Sequence, residues 1–118
     1  MADAVSDLGI CNIPFYGIAR GFLTGKYRPG IEEVDSKRAA GAREYASDKN
    51  FAIIAAMDKI SVGHNNAPLS AIALAWLRAQ PTVNAPIASA RTVAQLEEIV
   101  QIIDLTSTEI EQLNALSA

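Results

Sequence analysis

The chain has 118 residues, half of them hydrophobic and 19% charged, with a formal net charge of −3. That balance excludes a disordered polyelectrolyte and supports one small domain with a modest core. No basic block points to nucleic acid, and the longest apolar run, Ala71 to Leu77, is too short to cross a bilayer.

The first residues carry Asp3 and Asp7 in place of a basic-then-apolar leader pattern. Asp3 to Leu8 reads as the last turn of a helix, with Gly9 as its stop. Ile10 to Phe15 follows as a short strand. Its lone cysteine, Cys11, excludes an internal disulfide and fits a reducing, cytoplasmic setting, as a small buried strand residue rather than a nucleophile. Pro14 cannot donate to a ladder and marks the strand end. Tyr16 to Asp35 holds four glycines and a proline, which predicts a long loop. Loops of that length in compact domains are commonly functional.

Ser36 is a candidate cap for a helix over Lys37 to Tyr45, weakened by Gly41. A second helix fits Asn50 to Ser61, with Phe51, Ile54, Met57 and Ile60 at near-helical spacing. Gly63-His64-Asn65-Asn66 breaks it. Pro68 suits the first turn of a helix that continues from Ser70 to Gln80 and is apolar nearly all round, so that it needs cover on most sides. Pro81 ends it, and Val83 to Ala88 reads as a second strand. Thr92 and Gln95 form a capping-box pattern ahead of a helix with Val93, Leu96, Ile99, Val100 and Ile103 on one face. Thr106 and Glu109 repeat the box before a closing helix carrying Ile110, Leu113 and Leu116.

Strands separated by helices predict an α/β fold with right-handed parallel crossovers. Two strands alone leave a parallel sheet without neighbours, so the pattern reads as an incomplete α/β unit.

Several short strings occur in one order: Gly21-Phe22-Leu23-Thr24-Gly25-Lys26-Tyr27, the stretch Ser36 to Tyr45, Leu74-Ala75-Trp76-Leu77, and Ala85 to Ala90 followed by Gln95-Leu96-Glu97-Glu98. Together they resemble the C-terminal part of an aldo-keto reductase, of the longer branch that includes bacterial enzymes and potassium-channel β-subunits. The resemblance runs from about Leu8 to Leu116.

That resemblance implies the C-terminal portion of a (β/α)8 TIM barrel, with the site at the C-terminal strand ends. It implies reduction of aldehydes or ketones by NADP(H), with a tyrosine as general acid beside a lysine, an aspartate and a histidine. Those catalytic residues belong to the first half of the barrel, which this sequence does not contain. No catalytic residue is therefore expected here, and the chain alone is expected to be inactive, its implied partner being the missing N-terminal half-barrel.

The same resemblance assigns cofactor-binding positions. Phe15 falls where an aromatic meets the nicotinamide face, though a core aromatic at a strand end fits equally. Tyr16, Gly17, Ile18 and Ala19 fall on the loop that approaches the pyrophosphate, with Gly17 replacing a usual proline. Lys26 and Tyr27 follow in the same motif, Lys26 as a phosphate cation. Arg38, or its neighbour Lys37, matches a second cation. Ser89 and Arg91 match the 2′-phosphate end, and Gln95 and Glu98 match residues near the adenosine. Ile99 replaces a usual asparagine.

The single histidine, His64, has no ligand cluster around it in sequence, so no metal site is expected. Asp58 reads as a cap or a solvated charge. A non-enzymatic, self-associating module is the alternative, motivated by the all-round apolar helix and the unpaired strand edges.

Overall fold

A computed structural model describes residues 2–30 and 39–118. Ser36, Lys37 and Arg38 lie outside the described residues, and with them one predicted helix cap and one predicted phosphate cation.

Helix α1 spans Ala2–Leu8. Its end is closed by paired bonds, Gly9 N–H to the Ser6 carbonyl at 3.3 Å and Ile10 N–H to the Val5 carbonyl at 3.1 Å. That 5→2 and 6→1 pairing is the Schellman arrangement, so the predicted glycine stop is present.

Neither predicted strand is a strand among the described residues. Residues 10–14 and 85–90 carry no regular secondary structure, and the segments they belong to meet at one point. Asn84 N–H donates to the Asn12 carbonyl at 2.9 Å, and Asn12 N–H donates to Asn84 Oδ1 at 2.7 Å. The asparagine side chain thus takes the amide that a ladder carbonyl would have accepted, while Pro14 and Pro86 contribute no amide at all. Ile10 and Ile13 stand about half exposed beside this contact, at 53% and 52%. Cys11 is exposed, so the expectation of a buried strand cysteine is corrected.

The loop after the first segment closes into a 3-10 turn over Ala19–Thr24, and α2 follows at Ala39–Arg43. Helix α3 runs Asp48–Gly63, longer than the predicted span because Ser47 caps it by accepting from Asn50 N–H at 3.2 Å. Helix α4 spans Leu69–Arg78, and every residue from Leu69 to Ala75 is buried. Its cover comes from α3, from the 3-10 turn and from α5, which spans Val93–Ile99. The apolar surface predicted for α4 is therefore consumed inside the chain.

Helix α5 stops four residues short of the predicted face. The run Ile99-Val100-Gln101-Ile102-Ile103 is rich in β-branched residues, whose restricted χ1 disfavours continuing the helix. Val93, Leu96 and Val100 are left exposed. The Thr92 pattern is half a box: Thr92 Oγ1 accepts from Gln95 N–H at 3.2 Å, but Gln95 Oε1 accepts from Arg91 N–H at 2.9 Å, one residue earlier than the motif requires.

Helix α6, Ser107–Ser117, has the complete reciprocal box between Thr106 and Glu109. It is tied to α4 by Trp76 Nε1–H donating to Asn114 Oδ1 at 2.8 Å. His64, in the turn after α3, sits 3.0 and 3.1 Å from the two Glu109 carboxylate oxygens. Burial pushes the Glu109 carboxyl up, but the Thr106 amide and His64 outweigh it and hold the group below its usual range. His64 is thus a stitch between α3 and α6. No cluster of potential metal ligands occurs among the described residues, and no described helix is long and apolar enough to cross a membrane.

The core joins Ile54, Met57 and Ile60 of α3, Ile72 and Ala73 of α4, Leu113 of α6 and Ala42 of α2. Phe22 and Tyr27 enter it from the long loop. This is what positions the site: the loop is anchored by its own aromatics, and the polar residues between those anchors are held on the outside of the core.

Candidate functional site

Two adjoining clefts lie where the loop after residue 14 meets the segment after residue 86. The wider one has a volume of about 590 Å³ and is lined by Phe15, Tyr16, Gly17, Ile87, Ala88 and Gly41, together with Ile18, Arg20 and Ser89. The narrow one, about 60 Å³, is lined by Lys26, Tyr27, Thr24, Gly21, Ser70, Arg91, Gln95, Glu98 and Ile99, and again by Ile18, Arg20 and Ser89. Those last three residues form the wall common to both.

The two segments approach closely because residue 17 has no side chain. A Cβ at Gly17 would come 3.2 Å from the Ile87 carbonyl and 3.1 Å from Leu77 Cδ1. Glycine in place of the expected proline therefore lets the loop backbone lie against the second segment.

Arg20 lies across the junction. Its guanidinium carbon is 4.6 Å from the centre of the Tyr16 ring, and Nη1 reaches Glu44 at 3.3 Å. Its Nε is buried without a hydrogen-bond acceptor among the described residues. Tyr16, Ala19 and Arg20 all hold positive φ, at 60°, 48° and 55°. Non-glycine residues in that region are uncommon, and a cluster of them next to a cleft marks a backbone shaped against local preference.

The loop is pinned from behind by Arg28, which donates through Nε to the Gly25 carbonyl at 2.7 Å and forks onto Asp58 of α3 at 2.5 and 3.0 Å. These bonds from Arg28 hold the Asp58 carboxyl below its usual range. Asp58 is therefore a specific partner, not a solvated charge. The folded-state value is depressed, so the pair contributes above the ordinary carboxylate range and the contribution is lost as pH falls through the lowered value. Both side chains are more than a third exposed, at 36% and 45%, which limits the pair to about 1 kcal/mol. Asp58→Asn is expected to lower stability by that amount near neutral pH. The gap between the two proteins, measured by urea melts across pH, should close below about pH 4. A gap that stayed constant down to acid would contradict the assignment.

Of the cofactor positions expected from sequence, Phe15, Tyr16, Gly17, Ile18, Lys26, Tyr27, Ser89, Arg91, Gln95 and Glu98 are brought together around the clefts. Ala19 lines neither cleft and packs against the core. Phe15 is 72% exposed in this chain and lines the wider cleft. Tyr27 is mainly a core residue whose edge reaches the narrow cleft. Sequence reasoning missed Arg20, Ser70 and Arg28. The position of Arg20 inside the glycine-bounded loop was a usable signal for that residue, whereas Ser70 sits in an apolar helix whose pattern says only "buried".

Comparison with known proteins bears on this geometry directly. The family model described as "Aldo/keto reductase family" matches residues 1–118. Among curated proteins, the chain is similar to the aldo-keto reductase yakc of Schizosaccharomyces pombe, whose name carries NADP(+), at 31% identity over 111 residues.

The chain belongs to the aldo/keto reductase family.

The match with the yeast aldo-keto reductase covers 87% of this chain and 32% of that protein, so the chain spans about a third of the relative's length. The fold of aldo/keto reductases is the (β/α)8 barrel, in which loops after successive strands share one face. The described residues contain no strand, so the barrel belongs here to the family and not to an observed sheet.

Proposed function

We propose that this chain supplies the NADP(H)-holding wall of an aldo-keto reductase that reduces aldehydes or ketones, as the C-terminal portion of its barrel. The groups that handle the carbonyl oxygen's proton come, in this reading, from outside these 118 residues. The observation that carries it is the convergence of Lys26, Arg91, Arg20 and Ser89 on one narrow cleft that opens beside an aromatic-walled wider one.

The residues present fit a dinucleotide. Arg20, Lys26, Arg91 and the carboxylate of Glu98 line the narrow cleft, and Arg20 also pairs with Glu44, a basic excess suited to phosphate. The buried Arg20 Nε, on the wall of both clefts, is a donor without an acceptor among the described residues. The wider cleft's volume of about 590 Å³ falls in the range of ligand pockets. Lys26 would hold phosphate as a point charge, and Arg91 through paired donors. Phe15 and Tyr16, with ring centres 4.3 Å apart and planes tilted by 51°, would offer an aromatic wall against which a planar ring can pack and exclude water beside it. When bound, NADPH supplies the hydride for carbonyl reduction, and the protein's part is to place and shield it.

NADPH titrated into the chain and followed by nicotinamide fluorescence should show weak saturable binding, tightened when a complementary first-half barrel is added. Lys26→Met should weaken it roughly tenfold, the scale of one charge-assisted bond. No saturable binding in either setting would end this reading.

A further inference from the structure

We propose that the Ser70 hydroxyl is a buried donor to a phosphate oxygen held in the narrow cleft. The assignment rests on the nucleotide-holding role proposed above and adds a residue to it.

Ser70 is 2% exposed and is the one buried polar residue among the described ones. Its Oγ has no hydrogen-bond partner among the described residues. A buried hydroxyl without a partner is destabilising, because it loses water and gains nothing. Its neighbours in α4, Leu69 and Ala71 to Ala75, are all buried and apolar. Alanine at this position would be both the better helix former and the cheaper group to bury. The hydroxyl therefore has a use only where it lines open space, and the space it lines is the narrow cleft shared with Lys26, Arg20 and Arg91.

Its place in the helix points the same way. Ser70 lies in the first turn of α4, whose cap residue, Pro68, supplies no side-chain acceptor. The leading amides of a helix carry partial positive charge and favour an anion. Two independent orphan donors, Ser70 Oγ and Arg20 Nε, thus border one cleft. At about 60 Å³ the cleft admits a few water-sized groups, the scale of one phosphate's oxygens and not of a base. Glu98 is the carboxylate on the same lining, and Arg20 there is also paired with Glu44.

The test compares the 118-residue chain with Ser70→Ala and Ser70→Cys, the latter close in shape but a weak donor. Inorganic pyrophosphate is titrated calorimetrically and by thermal melting. Without ligand, Ser70→Ala should melt above the wild type. With pyrophosphate, both variants should bind roughly tenfold more weakly than wild type. Equal affinity in all three proteins, or no binding to the wild type, overturns the proposal. NADP(+) titrated in parallel separates the two readings. Pyrophosphate binding that depends on Ser70, without NADP(+) binding, upholds the donor and removes the nucleotide role. NADP(+) binding that ignores Ser70 does the reverse.

Discussion

Phe22→Ala is expected to cost about 3–5 kcal/mol and to take both clefts with it. Phe22 is 1% exposed although it sits in a loop. Its ring centre lies 5.6 Å from that of Phe51 and 6.3 Å from that of Tyr45, so one side chain joins the loop to α3 and to the turn after α2. Aromatic pairs at such separations add to the burial term. Against a total stability of roughly 5–15 kcal/mol, losing this ring removes a large share. The loop residues on either side, Arg20 at a kink in the 3-10 turn and Lys26 beyond its end, depend on that anchor for their placement. Urea unfolding followed by far-UV circular dichroism should show a markedly lower midpoint, and NADPH or pyrophosphate binding should vanish before the helical signal does. A midpoint within experimental error of the wild type would show that the loop is held by something else.

The helices were legible because each carries a local signal that its surroundings support. Thr106 and Glu109 make the full box predicted from their spacing, and Ile54, Met57 and Ile60 occupy the buried face predicted for α3. The strands were misread for a physical reason. A strand is a relation between segments, and apolar content at residues 10–15 and 83–88 cannot supply the neighbour whose carbonyls complete a ladder. Here the Asn84 side chain fills one such position instead. The site was partly legible through family resemblance, which drew attention to Lys26, Ser89, Arg91, Gln95 and Glu98. It could not reveal Ser70 or the Arg28–Asp58 fork, because each depends on a contact between residues far apart in the chain. In the case of Asp58 the partner lies 30 positions away.

Gly25→Ala is expected to cost roughly 2–4 kcal/mol, from two sources that can be separated. Gly25 ends the 3-10 turn with φ at 77° and returns its N–H to the Phe22 carbonyl at 3.2 Å. A side chain in that region costs about 1–2 kcal/mol by itself. In addition, a Cβ there would fall 2.7 Å from Leu69 Cδ1 and 2.9 Å from Arg28 Nη2. Both atoms are side-chain ends and can shift, but doing so disturbs the packing of Leu69 at the start of α4 and the bond from Arg28 Nη2 to Asp58 at 3.0 Å. Gly30 provides the comparison, since its φ is 79° but a Cβ there would meet nothing within 4 Å among the described residues. Gly30→Ala should therefore show the dihedral cost alone, and Gly25→Ala that cost plus the steric one. Displacing Arg28 should also remove the acid-dependent contribution of Asp58, so the pH dependence of Gly25→Ala should resemble that of Asp58→Asn. If thermal melting shows Gly25→Ala no worse than Gly30→Ala, the close packing of this turn against α4 and Arg28 is not what fixes the loop.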